Sequence, residues 1–155
     1  MENWYNEDVR QLFAAVLVLK DTEDCRRFFE DACTVKEILT FLWRAAGQPE
    51  PTIANPFTNL DESAYYAKAA IWAYEQGMVS GAEFAGDEPC TRAMTVTFLW
   101  QYAGCPGAEA ATFDDIPARA DYAAAVAWAI EAGVTKGTGN GRFSPEATCT
   151  RAQIV

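Results

Sequence analysis

The chain has 155 residues, enough for one compact domain, and 50% of them are hydrophobic, which excludes global disorder. Its 22 acidic residues outweigh 12 basic ones for a net charge of −10, and no run of Lys or Arg appears, so nucleic acid is not an expected partner. Histidine is absent and the five cysteines (Cys25, Cys33, Cys90, Cys105, Cys149) form no C-x-x-C pair, so no metal site or cofactor is expected. Buried free thiols are the simplest reading of the cysteines; two bridges plus one free thiol stay open.

The first 38 residues do not repeat. They read as two helices, Asn6 to Leu19 and Thr22 to Asp31, with an apolar stripe of Leu12, Val16 and Leu19 on the first and Phe28 and Phe29 on the second. The head is acidic, and the apolar run Leu12 to Leu19 is short and closed by Lys20 and Asp21. Neither an export signal nor membrane insertion is expected, and the chain reads as cytoplasmic if it is complete.

From Cys33 onward the sequence repeats. Phe57, Tyr66, Trp72, Gly77 and Gly81 recur as Phe113, Tyr122, Trp128, Gly133 and Gly137 at an offset of 56. After three added residues, Phe84 and Cys90-Thr91-Arg92-Ala93 recur as Phe143 and Cys149-Thr150-Arg151-Ala152 at an offset of 59. A half-copy lies upstream: Cys33-Thr34 and Thr40-Phe-Leu-Trp43 precede Cys90-Thr91 and Thr97-Phe-Leu-Trp100 by 57. The chain therefore divides into an N-terminal helical segment (1–38), the end of a first repeat with its linker (39–56), a second repeat (57–106) and a third (107–155).

Each unit reads as helix–loop–helix. Tyr66, Ala69, Ala70, Ala73 and Tyr74 predict an early helix over Ala64 to Gln76, and Tyr122, Ala125, Val126, Ala129 and Ile130 predict its counterpart over Ala120 to Ala132. Gly77 and Gly133 are their natural stops. The loops Val79 to Phe84 and Thr135 to Phe143 follow; the second, with Gly137, Gly139 and Gly141, reads as a tight turn or short hairpin, not a Walker loop. Thr34, Thr91 and Thr150 then sit where helix N-caps are wanted. Thr34 with Glu37 and Thr150 with Gln153 have capping-box spacing, whereas Thr91 faces Met94. Late helices are expected over Val35 to Ala46 and Arg92 to Ala103, burying Ile38, Phe41 and Leu42, and Val96, Phe98, Leu99 and Tyr102. The third late helix is truncated at Val155. Asp114, Asp115 and Glu146 could act as acid and base, but nothing sets two of them at a catalytic separation, so no enzyme is expected.

Phe113-Asp-Asp-Ile116, Tyr122, Ala125-Val-Ala-Trp128, Gly137-Thr-Gly-Asn-Gly-Arg-Phe143, Pro145 and Thr150-Arg-Ala-Gln153 resemble the surface-layer homology repeat. The second copy is eroded, with Asn59 in place of the aspartate at Asp115. The resemblance implies an all-α, mostly helical, pseudo-threefold module that anchors proteins at the cell wall or cell surface. The implied partner is an anionic, often pyruvylated, secondary cell-wall polysaccharide. Carried over, the implied binding residues are Arg92, Arg151 and Asp115, with Trp72, Trp128, Gly137 and Thr138. The family motif ends in glutamate where this chain has Met94 and Gln153, and the first copy has Val35 in place of arginine. An arginine can grip an anionic sugar substituent or form a surface or inter-repeat salt bridge, and an indole can stack on a sugar face or pack in the core.

The opening, DVRQLFAAVLVLKDTEDCRRFFEDACTVKEI, resembles the start of the Trp-repressor-like YerC/YecD family. That family's DNA-reading helix-turn-helix should follow Ile38, where the repeats stand instead. The alternative function is thus an intracellular regulatory or structural protein without a DNA reader. Apolar surface on the N-terminal helices and the short last helix favours a homo-oligomer.

Overall fold

A computed structural model of the chain describes residues 30–154. Apart from the last two positions of the second, the N-terminal helices expected over Asn6 to Leu19 and Thr22 to Asp31 lie outside the described residues. The described helices are α1 (Val35–Ala45), α2 (Ala67–Glu75), α3 (Arg92–Tyr102), α4 (Ala123–Glu131) and the short α5 (Arg151–Ile154). Turns and isolated antiparallel bridges join them.

The described residues group into two compact units: residues 30–89 with 150–154, and Cys90–Cys149. This grouping runs across the sequence repeat. Each unit combines the late helix of one copy with the early helix of the next, so α1 packs on α2 and α3 packs on α4. A nine-residue helix such as α2 or α4 cannot persist alone in water and needs that partner. Alanines make the contact close: Ala69, Ala70 and Ala73 of α2, and Ala125, Ala127 and Ala129 of α4, are buried. Ile38, Leu39 and Leu42 cover the first seam, and Val96 and Phe98 the second. Phe41, Leu99 and Tyr102, expected in the core, are only half-buried.

All four longer helices end the same way. Gly77 has φ of 73° and donates its N–H to the Tyr74 carbonyl, while Met78 donates to Ala73. Gly133 and Val134 repeat this on Ile130 and Ala129, Gly47 and Gln48 on Arg44 and Trp43, and Gly104 and Cys105 on Gln101 and Trp100. These are Schellman closures, which need a left-handed residue and satisfy the last carbonyls. The linker then folds back: Trp43 Nε1 donates to the Pro49 carbonyl and Trp100 Nε1 to the Pro106 carbonyl, both at 2.9 Å.

The helix starts are tied to distant loops. The N–H groups of Val35 and Lys36 donate to the Glu88 and Gly86 carbonyls, each at 2.9 Å. In the second unit Arg92 and Ala93 donate to Ala147 and Pro145 at 2.8 and 3.0 Å. Arg151 N–H makes the equivalent bond to the Asp31 carbonyl at 3.1 Å. First-turn N–H groups have no partner inside a helix, so a loop carbonyl that meets them satisfies two orphan groups at once. Side chains complete the caps. Thr34 N–H donates to Glu37 Oε2 at 2.8 Å, and Thr150 N–H to Gln153 Oε1 at 3.0 Å. Thr91 Oγ1 accepts from Met94 N–H, and methionine returns nothing.

Candidate functional site

The loops after α2 and α4 hold the chemistry, and each is gripped by one side chain from the segment preceding its early helix. In the first unit that side chain is Asn59. Its Oδ1 accepts from Phe84 N–H at 2.8 Å and its Nδ2 donates to the Phe84 carbonyl at 3.1 Å. In the second unit it is Asp115, whose two oxygens accept from the N–H groups of Phe143 and Ser144 at 2.9 and 2.7 Å. These bonds, that from Phe143 foremost, hold the Asp115 carboxyl below its ordinary range. A carboxylate only accepts, so it leaves the Phe143 carbonyl open. Arg92 takes it: Nε donates there at 2.8 Å and Nη2 donates to Thr135 Oγ1 at 3.1 Å. The guanidinium also lies over the buried Phe143 ring, 4.8 Å from its centroid.

The first unit has no guanidinium at this place, because the residue equivalent to Arg92 is Val35, which is buried. Asn59 supplies the donor instead. The paired differences Asn59 with Val35 and Asp115 with Arg92 are therefore two ways of satisfying one loop carbonyl.

The longer second loop is a tight hairpin. Arg142 N–H donates to the Gly139 carbonyl at 3.0 Å around Asn140 and Gly141, both at positive φ. Gly137 is required there, since a Cβ would lie 2.8 Å from the Arg142 carbonyl and 2.9 Å from the Phe113 ring. Thr138 is exposed and its Oγ1 lies 2.7 Å from Ser144 Oγ. The structure thus brings Arg92, Asp115, Gly137 and Thr138 to one loop within one unit.

The remaining sequence-predicted site residues lie elsewhere. Trp72 and Trp128 are only 6% and 8% exposed. Burial of this degree fits the packing alternative that an indole also offers. Arg151 belongs to the first unit. Its Nη2 lies 2.5 Å from Glu37 Oε1 and its Nη1 3.6 Å from Asp31 Oδ2. Burial alone would raise the Glu37 carboxyl, but the Arg151 hydrogen bond and the Thr34 N–H together hold it below its ordinary value.

The two units differ in how their cations are partnered. In the first, Lys36 pairs with Asp87, Lys68 with Glu50 and Arg151 with Glu37 and Asp31, while Arg44 makes no ion pair among the described residues. In the second, Arg92, Arg119, Lys136 and Arg142 make no ion pair among the described residues. Lys136 and Arg142 flank the hairpin and are exposed. Sequence reasoning missed Thr135, the Phe143 carbonyl, Glu37 and these two loop cations; the joint departure of Val35 and Asn59 was the available signal for the first two. Among the described residues no cluster of His, Cys, Asp or Glu could hold a metal ion, and no helix is long and apolar enough to cross a membrane.

The family model of the S-layer homology domain matches residues 56–93 and 112–155, and the chain belongs to that family. It is similar to a cell surface protein of Thermoanaerobacter kivui, 30% identical over 109 residues, covering 64% of this chain and 14% of that protein. It is also similar to the uncharacterised protein YerC of Bacillus subtilis, 47% identical over 38 residues, covering 24% of this chain and 36% of YerC. The chain therefore spans a minor part of each relative.

Proposed function

We propose that this protein is a non-catalytic anchoring module of the cell surface that binds an anionic secondary cell-wall polysaccharide, with Arg92 as its principal anion contact. Membership of the S-layer homology family and the resemblance to a cell surface protein support the anchoring role. The observation that carries the binding role is the environment of Arg92. Its guanidinium is oriented by a carbonyl and a hydroxyl, both neutral, so its charge stays uncompensated while its geometry is fixed. Such a group receives a carboxylate, as in a pyruvate ketal, through charge-assisted hydrogen bonds. Asp115 acts here as a positioning residue: both its oxygens hold the loop that orients Arg92. Lys136 and Arg142 add positive potential beside it, and the second unit has six acidic residues to four basic ones against ten to four in the described part of the first.

The test is retention of the purified chain on immobilised secondary cell-wall polysaccharide. Retention should weaken with added salt and fall at least about tenfold in Arg92→Ala, the loss of one charge-assisted contact. A folded wild-type chain that flows through would end this reading.

A further inference from the structure

We infer that this chain offers one anion-binding arginine, Arg92, and not two, because Glu37 occupies Arg151 from within the chain in the place an anionic ligand group would take. The inference rests on the polysaccharide-binding reading above. Arg92 and Arg151 hold equivalent places in the repeat, at the first position of a late helix after a threonine cap. Their surroundings have opposite charge. Arg92 meets neutral acceptors, whereas Arg151 meets two carboxylates, Glu37 at 2.5 Å and Asp31 at 3.6 Å. The Arg151 side chain is 11% exposed and that of Glu37 16%, so little water screens the pair.

Glu37 is also fixed on its other side. Its Oε2 accepts the Thr34 N–H at 2.8 Å while Oε1 receives Arg151. One carboxylate thus caps α1 and neutralises an arginine from the far end of the sequence. A ligand carboxylate could reach Arg151 only by expelling a side chain that is already in place, at an intramolecular effective concentration no dilute sugar matches. Expulsion would leave the α1 cap open and strand a poorly hydrated charge. The relation is specific to this copy: the residue three places after the cap is Glu37 in the first copy, Met94 in the second and Gln153 in the third.

Gln153 also supplies the test. It accepts the Thr150 N–H at 3.0 Å, as Glu37 does for Thr34, so a glutamine can keep the cap without the charge. Calorimetric titration of the full chain with a methyl pyranoside carrying one pyruvate ketal should give one equivalent bound for wild type, two for Glu37→Gln and one for Glu37→Gln with Arg92→Ala. Independently of any sugar, phenylglyoxal labelling read by mass spectrometry should modify Arg92 at least tenfold faster than Arg151 in wild type, and Glu37→Gln should close that gap. Two equivalents in wild type, or equal labelling of both arginines, would overturn the inference. So would a single equivalent in Glu37→Gln once its Arg151 labels freely. If no variant binds the ketal, the polysaccharide reading fails, and the labelling ratio still decides whether Glu37 holds Arg151.

Discussion

The two units of this protein satisfy the same loop carbonyl with different donors, and the difference separates structure from binding. In the first, the Asn59 amide reaches the Phe84 carbonyl and no charge is involved. In the second, Asp115 accepts two N–H groups and the Phe143 carbonyl is left to Arg92. The first solution is self-contained. The second holds the loop with a cation whose charge has no carboxylate partner among the described residues. Two copies of one repeat thus satisfy the same carbonyl, one with an amide and one with a guanidinium.

The largest expected effect tests the floor of the second site. Phe143 is 0% exposed and lies under Arg92. Phe143→Ala should cost about 3–5 kcal/mol in denaturant unfolding. Phe84→Ala in the first unit, where the ring is 9% exposed, should cost less. Equal costs would mean that the two loops are equally braced.

The next test transplants one solution onto the other unit. Arg92→Val leaves the Phe143 carbonyl without its donor and should cost about 1–3 kcal/mol as an unsatisfied group. Adding Asp115→Asn recreates the amide donor of Asn59 and should recover part of that stability without restoring polysaccharide retention. Recovery of both would show that the charge of Arg92 is irrelevant to binding. No recovery of stability would break the equivalence of the two clasps.

Acid should discriminate the loops more gently. The Asp115 carboxyl has a folded-state pKa below its unfolded value, so its contribution is present above the unfolded value and is lost as pH falls through the folded one. Hydrogen-exchange protection of the Phe143 and Ser144 amides, corrected for intrinsic rates, should decline on acidification below the ordinary aspartate range. The Phe84 amide, held by the non-titrating Asn59, should not follow through its own clasp. Parallel loss at both loops would point to global acid unfolding.

The smallest effect concerns the thiols. Cys90 is buried, and burial foremost pushes its pKa up to about 11. Cys105 is exposed. Alkylation near neutral pH should reach Cys105 well before Cys90, with little change in stability. Early modification of Cys90 would indicate local opening of the second unit at the start of α3.

Much of this architecture is legible along the chain. The offsets of 56, 57 and 59 locate corresponding residues, Gly77 and Gly133 mark where α2 and α4 stop, and Thr34 and Thr150 mark caps that glutamate and glutamine close. The expected late helices run one residue too far, because Ala46 and Ala103 serve as C-caps. The candidate site was half legible. Arg92 and Asp115 meet the loop that carries Gly137 and Thr138, whereas the two tryptophans are buried. Helical spacing cannot tell an indole on the seam from one on the surface when alanines surround it on both sides.

Residue order alone marks where the helices begin and end, because side-chain caps and Schellman ends depend on groups within a few positions of one another. Tertiary structure decided which arginine meets a carboxylate. Arg92 finds the Phe143 carbonyl 51 residues away, and Arg151 finds Glu37 across 114 residues. No local preference distinguishes the two, since both open a late helix behind a threonine cap. Only packing brings a neutral carbonyl to one and a carboxylate to the other at hydrogen-bond distance.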